Sequence, residues 1–218
     1  MITEFEHTEG ASLKRPFIVA LTGGIASGKS TVSRYLNERY HIPIIDTDVI
    51  ARQLVEVGSS TLSAIREHFG QDIVDEHGEL KRRALRDIIS QNPEQRTWLN
   101  ALMHPRIYAE VIRQVESLNE HQHTYVMLVI PLLSADSPYL RRVNQVWVVD
   151  CTEQQQKQRL VTRDKMNEIS AEQLIHAQPS RAERLALANY VILNDNDASS
   201  LMMQTDRLHH QLTQSMTR

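Results

Sequence analysis

The 218-residue sequence holds a single cysteine, Cys151, so no internal disulfide can form, and a reducing compartment suits it. Nowhere does it approach the roughly 18 consecutive apolar residues of a membrane span. The polar, acidic opening MITEFEHTEGASLKR has no apolar segment of the kind a signal peptide carries. Residues 1–15 read as a loose tail, and a cytoplasmic protein with no membrane partner is the expectation. Charge of one sign is also missing. Lysine and arginine total 24 against 27 acids, a formal charge of −3, which argues against a nucleic-acid partner and its strongly basic face. There is no internal repeat, no low-complexity tract and no histidine spacing that suits a metal. His121 and His123 fall in a polar stretch, and His209 and His210 near the end read as solvated. What remains is 41% hydrophobic and 23% charged, enough for one large domain with a sizeable core.

Five short apolar runs stand out as strands: Phe17–Thr22, Ile42–Asp46, Tyr125–Ile130, Val143–Asp150 and Tyr190–Asn194. Four are continuous rather than alternating, and in Val143–Asp150 polar Asn144 and Gln145 precede Val146–Val149. Such runs suit strands covered on both faces, as in a parallel sheet. Helical patterns lie between them. Val32, Tyr35 and Leu36 share a face, as do Ile107, Val111, Val115 and Leu118. Asn92-Pro93-Glu94 reads as an N-cap followed by proline at the first helical position. Thr152 to Gln155 and Ser170 to Gln173 both match the capping box. Strands alternating with helices mean a doubly wound α/β sheet. Two intervals exceed a simple crossover: residues 51–123, expected to form a helical insertion, and the arginine-rich residues 152–188, suited to a helical flap.

The strongest signal is Gly23-Gly24-Ile25-Ala26-Ser27-Gly28-Lys29-Ser30, followed by Thr31, which matches G-x-x-x-x-G-K-[ST] in full. It follows the apolar run FIVALT and precedes the helical pattern STVSRYL, the strand–loop–helix setting that a phosphate-binding loop requires. Glycines let the backbone wrap an anion, successive N–H groups form a nest, and the helix adds its positive end. Lys29 can reach the outer phosphates of ATP, and Ser30 can ligate Mg²⁺.

Other motifs sort this loop among its possible owners. The guanine-reading N-K-x-D of GTPases is missing, which counts against a nucleotide-dependent switch. Asp75-Glu76-His77-Gly78 fits the D-x-x-G of a GTPase switch, but no strand precedes it, so it reads as a turn. Asp150, closing Val146-Trp147-Val148-Val149, is either a metal-linked aspartate or, the favoured reading, a cap for the next helix. Asp46-Thr47-Asp48 ends the second run; if extended, its carboxylates share a face. Loop and acids then meet beyond the carboxyl ends of the strands, where one acid can take the proton of an attacking hydroxyl and an acid can help hold Mg²⁺ through water. Arg159, Arg163, Arg181 and Arg184 offer guanidinium groups for phosphoryl charge, Arg163 first.

These residues together resemble the dephospho-CoA kinase family over roughly residues 16–210. The likeness rests on ALTGGIASGKST, IIDTDVIAR, LNALMHP, VIPLL, VWVVD, QRLVTRD and AQPSRAERLALANYVILN. It implies transfer of the ATP γ-phosphoryl group to the 3′-hydroxyl of the partner substrate, dephospho-CoA, the last step of coenzyme A synthesis. It also implies an α/β P-loop fold, three layers around a five-stranded parallel sheet, with core segments 16–50, 124–151 and 189–218, a helical CoA-binding insertion at 51–123 and a lid at 152–188. By motif position, residues 23–31 bind ATP, Lys29 contacts phosphates and Ser30 reaches Mg²⁺. Asp48 is the catalytic base, Arg163 the lid arginine, and Asn194 lies near the adenine. A monomer or weak homo-oligomer is expected. The alternative is a kinase of the same core with another nucleoside or nucleotide acceptor.

The sequence departs from the family pattern at a few positions. Ala26 replaces a usual glycine, and the expectation is that this position needs no positive φ. Ala135 replaces a usual acid, with Asp136 next to it, and Leu193 and Asn196 differ in the adenine-side loop. His104-Pro105 either marks the end of a structural element or brings an imidazole to the acceptor, the former being favoured. Lys81-Arg82-Arg83 is either a solvated face or a contact for acceptor phosphates, and Arg141-Arg142 reads as solvated.

Overall fold

Strand β1 (Ile18–Gly23) is buried at every position, which only a strand covered on both faces achieves. A computed structural model of the chain describes residues 16–118, 123–195 and 197–216. The tail, His121 and Asn196 lie outside them. Five parallel strands run in the order β2–β3–β1–β4–β5, with β2 at Ile44–Asp46, β3 at Val126–Val129, β4 at Gln145–Asp150 and β5 at Tyr190–Leu193. Each falls within one residue or two of its apolar run.

Alternation along the strands feeds two separate cores. Val19, Leu21, Met127, Val129, Trp147 and Val149 point to one face. There they meet Val32 and Leu36 of α1 (Lys29–Tyr40) and Leu201 and Leu212 of the last helix, α9 (Ala198–Met216). Ile18, Ala20, Val126, Leu128, Val146 and Val148 point to the other. They are covered by Ile50 of α2 (Thr47–Gln53) and Val111 and Val115 of α5 (Pro93–Ser117). Truncating Leu21, Leu36, Ile50 or Leu128 to alanine should cost about 2–5 kcal/mol, because both transfer and cavity penalties apply. Strand β5 breaks the pattern. It is an edge strand, and only Ile192 is buried while Tyr190, Val191 and Leu193 are exposed. A continuous apolar run therefore did not mean two covered faces there.

Residues 51–123 carry the end of α2, then α3 (Ser60–Phe69), α4 (Arg82–Gln91) and α5, around a third core of Val55, Ile65, Ile73 and Leu85. Asp75 closes the expected turn by accepting from the His77 and Glu79 amides. Residues 152–188 carry α6 (Glu153–Arg163) and α7 (Glu168–His176), packed around Leu160, Ala171 and Ile175, and α8 (Arg181–Ala186), whose Leu185 packs against the sheet core. The Asn92 cap and the Thr152–Gln155 capping box form as the sequence suggests.

Four sequence expectations fail for physical reasons. Pro105 does not end an element; it lies inside α5. The helix continues because Trp98, Leu99, Leu102 and Met103 anchor one half in the insertion core and Ile107, Val111 and Val115 anchor the other on the sheet. Arg106 donates to the Leu102 carbonyl at 2.8 Å, in the turn that proline weakens. Ser170 is not a cap. Asn167 takes that place, accepting from the Ser170 amide at 2.8 Å. Asp150 caps nothing either, since Thr152 caps α6. Finally, His209 is buried rather than solvated: Tyr125 hydrogen-bonds its Nδ1 at 3.1 Å, and Tyr40 stacks on it at 3.8 Å. Burial first, and then neighbouring His210, lowers its pKa against the opposing pull of Asp206.

The Thr152 cap supports the first turn of α6 through the Gln155 amide at 3.2 Å, and the Gln155 side chain returns a bond to the Thr152 amide at 3.0 Å. Thr152→Ala should cost about 1 kcal/mol and lower the calorimetric melting midpoint by about 2–4 °C. An unchanged midpoint would show that the cap contributes nothing.

Candidate active site

The loop between β1 and α1 is built from backbone that few side chains would permit. Gly28, the N-cap of α1, has φ 104°, and a Cβ there would strike the Asn194 side chain. A Cβ on Gly24 would strike the Gln156 amide and come within 3.0 Å of Arg184 Nη2. Ala26 adopts φ 56°, so the expectation that this position needs no left-handed backbone is corrected. The left-handed region costs a non-glycine residue about 1–2 kcal/mol. Its methyl group packs with Ile25 against Leu160, Ala171 and Ile175, which offsets part of that cost. Among the described residues, the N–H groups of Ala26, Gly28, Lys29 and Ser30 are hydrogen-bonded to no protein acceptor. Amides left this way at a helix start form an anion site.

Lys29 Nζ donates to the carbonyls of Gly23 and Gly24, each at 2.8 Å, which folds the ammonium back over the loop. Burial lowers its pKa to about 8; nearby Asp48 opposes the shift and Arg184 adds to it. The Ser30 side chain is exposed in the first turn of α1. Ser27 Oγ and Gln156 Oε1 are buried beside the loop without a hydrogen-bond partner.

The two acids are not an extended pair, which corrects the shared-face reading. Strand β2 stops at Asp46, whose Oδ1 caps α2 by accepting from the amides of Asp48 at 2.8 Å and Val49 at 3.4 Å. Thr47 fixes this junction by donating to the Val129 carbonyl at 3.2 Å. Asp48 thereby enters the first helical turn. Desolvation raises its pKa, Asp46 raises it further, and Arg52 and Lys29 pull it back. Asp48 opens onto a cavity of about 330 Å³ between α2, α5 and the loop after β3. Ile107, Tyr108, Pro131, Leu132 and Tyr139 give that cavity apolar walls, with His104 and Asp136 among them. The Tyr108 and Tyr139 ring centroids lie 5.3 Å apart. Ser134 donates to Asp136 at 2.6 Å, which lowers the pKa of that carboxyl. The structure thus sets His104 on a helix at the cavity wall rather than at an element boundary.

The arginines divide. Arg159 donates to the Ala26 carbonyl at 3.1 Å and the Asn194 carbonyl at 2.7 Å. Asn194 in turn donates to the Ser27 carbonyl at 2.7 Å, which ties the loop after β5 to the phosphate loop. Arg181 pairs with buried Asp150 at 2.6 Å. Arg184 is buried beside Gly24. Arg163 sits at the exposed end of α6 with its guanidinium on Asp164 at 2.7 Å. Lys81 and Arg82 donate to the carbonyls of Asp72 and Arg52 within the insertion. Two glutamines escaped sequence reasoning. Gln178 accepts from the Ile25 amide at 2.8 Å, and Gln156 donates to the Ile25 carbonyl at 2.7 Å. Gln156 lies in a run of three glutamines with nothing to single it out; Gln178 falls in the AQPSR block.

Residues 17–200 match the family described as dephospho-CoA kinase. The dephospho-CoA kinase of Escherichia coli strain K12 is 44% identical over 193 residues, 88% of this chain and 91% of that protein. The crystal structure of TT1252 from Thermus thermophilus aligns with a TM-score of 0.78 at 26% identity, over 91% of this chain and 99% of that one. Dephospho-CoA kinase from Campylobacter jejuni shares the fold, with a TM-score of 0.69 at 22% identity over 91% and 98% of the two chains.

The lowered pKa of Lys29 has a measurable sign. Above about pH 8 the free ammonium loses its proton, whereas bound phosphate holds it charged. Calorimetry in buffers of different ionisation enthalpy should therefore show ATP binding take up close to about one proton at about pH 9 and little through this residue at about pH 7. Uptake that is independent of pH, or that survives in Lys29→Met, would contradict the assignment.

Proposed function

Because this chain belongs to the dephospho-CoA kinase family, we propose that it transfers the γ-phosphoryl group of ATP to the 3′-hydroxyl of dephospho-CoA, giving coenzyme A and ADP. One observation carries the reading: a loop of free amides with a folded-back ammonium lies within electrostatic reach of Asp48, which lines a cavity of about 330 Å³.

The loop 23–31 holds the triphosphate, its amides facing the phosphate oxygens. Lys29 exchanges the Gly23 and Gly24 carbonyls for those oxygens. The donors fit a hard cation: the Ser30 hydroxyl is exposed beside the loop, the Asp46 and Asp48 carboxylates lie within electrostatic reach of Lys29, and among the described residues no cluster of histidine, cysteine or acidic ligands competes. Ser30 would hold Mg²⁺, with the acids reaching it through water; the ion supplies neutralisation of phosphate charge when bound. Asp48 accepts the proton of the ribose hydroxyl as its oxygen bonds to the γ-phosphorus and the bond to the β–γ bridging oxygen breaks. The cavity beneath α5 takes the acceptor, with the 51–123 insertion as its wall, and Asn194 lies by the adenine. Arg163 joins from the 152–188 lid by giving up Asp164. Among the described residues no helix is long and apolar enough to cross a membrane. Our reading is of a cytoplasmic enzyme, monomeric or weakly homo-oligomeric, that works without nucleic acid.

Incubating the purified protein with Mg-ATP and a panel of acceptors tests the proposal. Dephospho-CoA should yield coenzyme A, and no product above the protein-free control would reject it. Asp48→Asn should lower kcat by about 10²–10⁴-fold while ATP affinity stays within a few-fold. Unchanged turnover would remove Asp48 from the role of base.

A further inference from the structure

Helix α8 carries two arginines three residues apart, Arg181 and Arg184, and the structure treats them in opposite ways. Arg181 is spent on Asp150. Its Nε reaches both carboxylate oxygens at 3.0 Å and its Nη2 reaches Oδ2 at 2.6 Å. Asp150 is only 4% exposed, at the end of β4, one residue beyond the level at which Val149 registers with Gly23 of the phosphate loop. This bond therefore fixes both the position and the rotation of α8 against the loop. Arg184 is 6% exposed, and among the described residues it is ion-paired to none. Among the described residues its one hydrogen-bond acceptor is the Pro179 carbonyl, a neutral group that takes Nη1. Its Nη2 lies beside Gly24, 3.0 Å from where a Cβ would stand, so the glycine leaves room for the guanidinium there. The acids nearest in charge are Asp150, already taken by Arg181, and Glu153.

Burying an unpaired guanidinium is costly. The arrangement makes sense when an anion fills the loop beside it. We propose that Arg184 contacts the ATP phosphates as a catalytic cation, and that the Asp150–Arg181 ion pair is the positioning element that aims it there. The proposal rests on the kinase reading above and assigns two parts that the motifs do not name. Transfer spreads negative charge over the γ-phosphoryl oxygens and the departing β-phosphate, and a fork at Gly24 lies beside that path.

The test compares wild type with Arg184→Met, Arg184→Lys, Asp150→Asn and Asp150→Glu, using Mg-ATP and dephospho-CoA. Arg184→Met should lower kcat/KM by about 10²–10³-fold and weaken Mg-ATP binding. The melting midpoint of the ligand-free protein should hold or rise, because an uncompensated buried charge is gone. A merely structural arginine would lower it. Arg184→Lys keeps the charge without the fork and should recover only part of the loss. If Arg184→Met fails to fold, Arg184→Lys decides the matter, and full turnover there overturns the proposal. Asp150→Asn should lower kcat about tenfold, well below its melting midpoint, with the KM for ATP nearly unchanged, and Asp150→Glu should restore part of it. Wild-type turnover and ATP affinity in Arg184→Met would overturn the inference while leaving the kinase reading intact. Should wild type itself make no coenzyme A, Mg-ATP affinity still decides: equal affinity in Arg184→Met and wild type defeats the role of Arg184, and weakened affinity supports it.

Discussion

A strand that enters a helix through a tight loop leaves backbone N–H groups with nowhere to donate, and the rest of this molecule is arranged around that shortage. Among the described residues, the amides of Ala26, Gly28, Lys29 and Ser30 have no protein acceptor. Their geometry depends on left-handed backbone at Ala26 and Gly28, and on close approaches at Gly24 that a side chain would block. The loop is not self-supporting. Gln156 and Gln178 hold the two sides of Ile25, Arg159 holds the Ala26 carbonyl, and Asn194 holds the Ser27 carbonyl. Residues 152–188 and the loop after β5 thus hold the shape of the loop between β1 and α1.

Charge follows the same logic. Lys29 is half-buried and bonds two carbonyls, and among the described residues Arg184, buried nearby, is ion-paired to none. Two cations near each other with little water between them repel, which raises the free energy of the ligand-free site. In the proposed reaction a polyphosphate relieves both at once and sets the cations for the charge that develops in transfer. Asp48 lines the cavity under α5, where desolvation and Asp46 raise its pKa while it stays exposed.

Much of this was legible in the residues. The G-x-x-x-x-G-K-S motif lies at the one strand–helix junction where it can work, and five apolar runs mark the five strands. Local grammar failed where tertiary packing overrode it. Pro105 is carried through α5 because both halves of the helix are anchored in different cores. The paired acids became a cap and a first-turn residue because α2 begins at Thr47, directly after β2 ends at Asp46, and no extended backbone carries on to Asp48. The arginines were visible as a group but not individually, since their roles depend on which acid each one meets across the fold. Arg163 meets its neighbour Asp164. Arg181 meets Asp150, 31 residues away. Arg184 meets none. No local pattern encodes such assignments, and a buried glutamine such as Gln156 carries no signal in sequence at all.

The central claim is that an ATP tail replaces the loop's missing acceptors and draws Lys29 off its own backbone. A crystal structure with Mg²⁺ and a non-hydrolysable ATP analogue tests this directly. The account predicts phosphate oxygens on the amides of Ala26, Gly28, Lys29 and Ser30, with Lys29 Nζ moved from the Gly23 and Gly24 carbonyls onto the nucleotide. A nucleotide bound elsewhere, with those two carbonyl bonds intact, would contradict it.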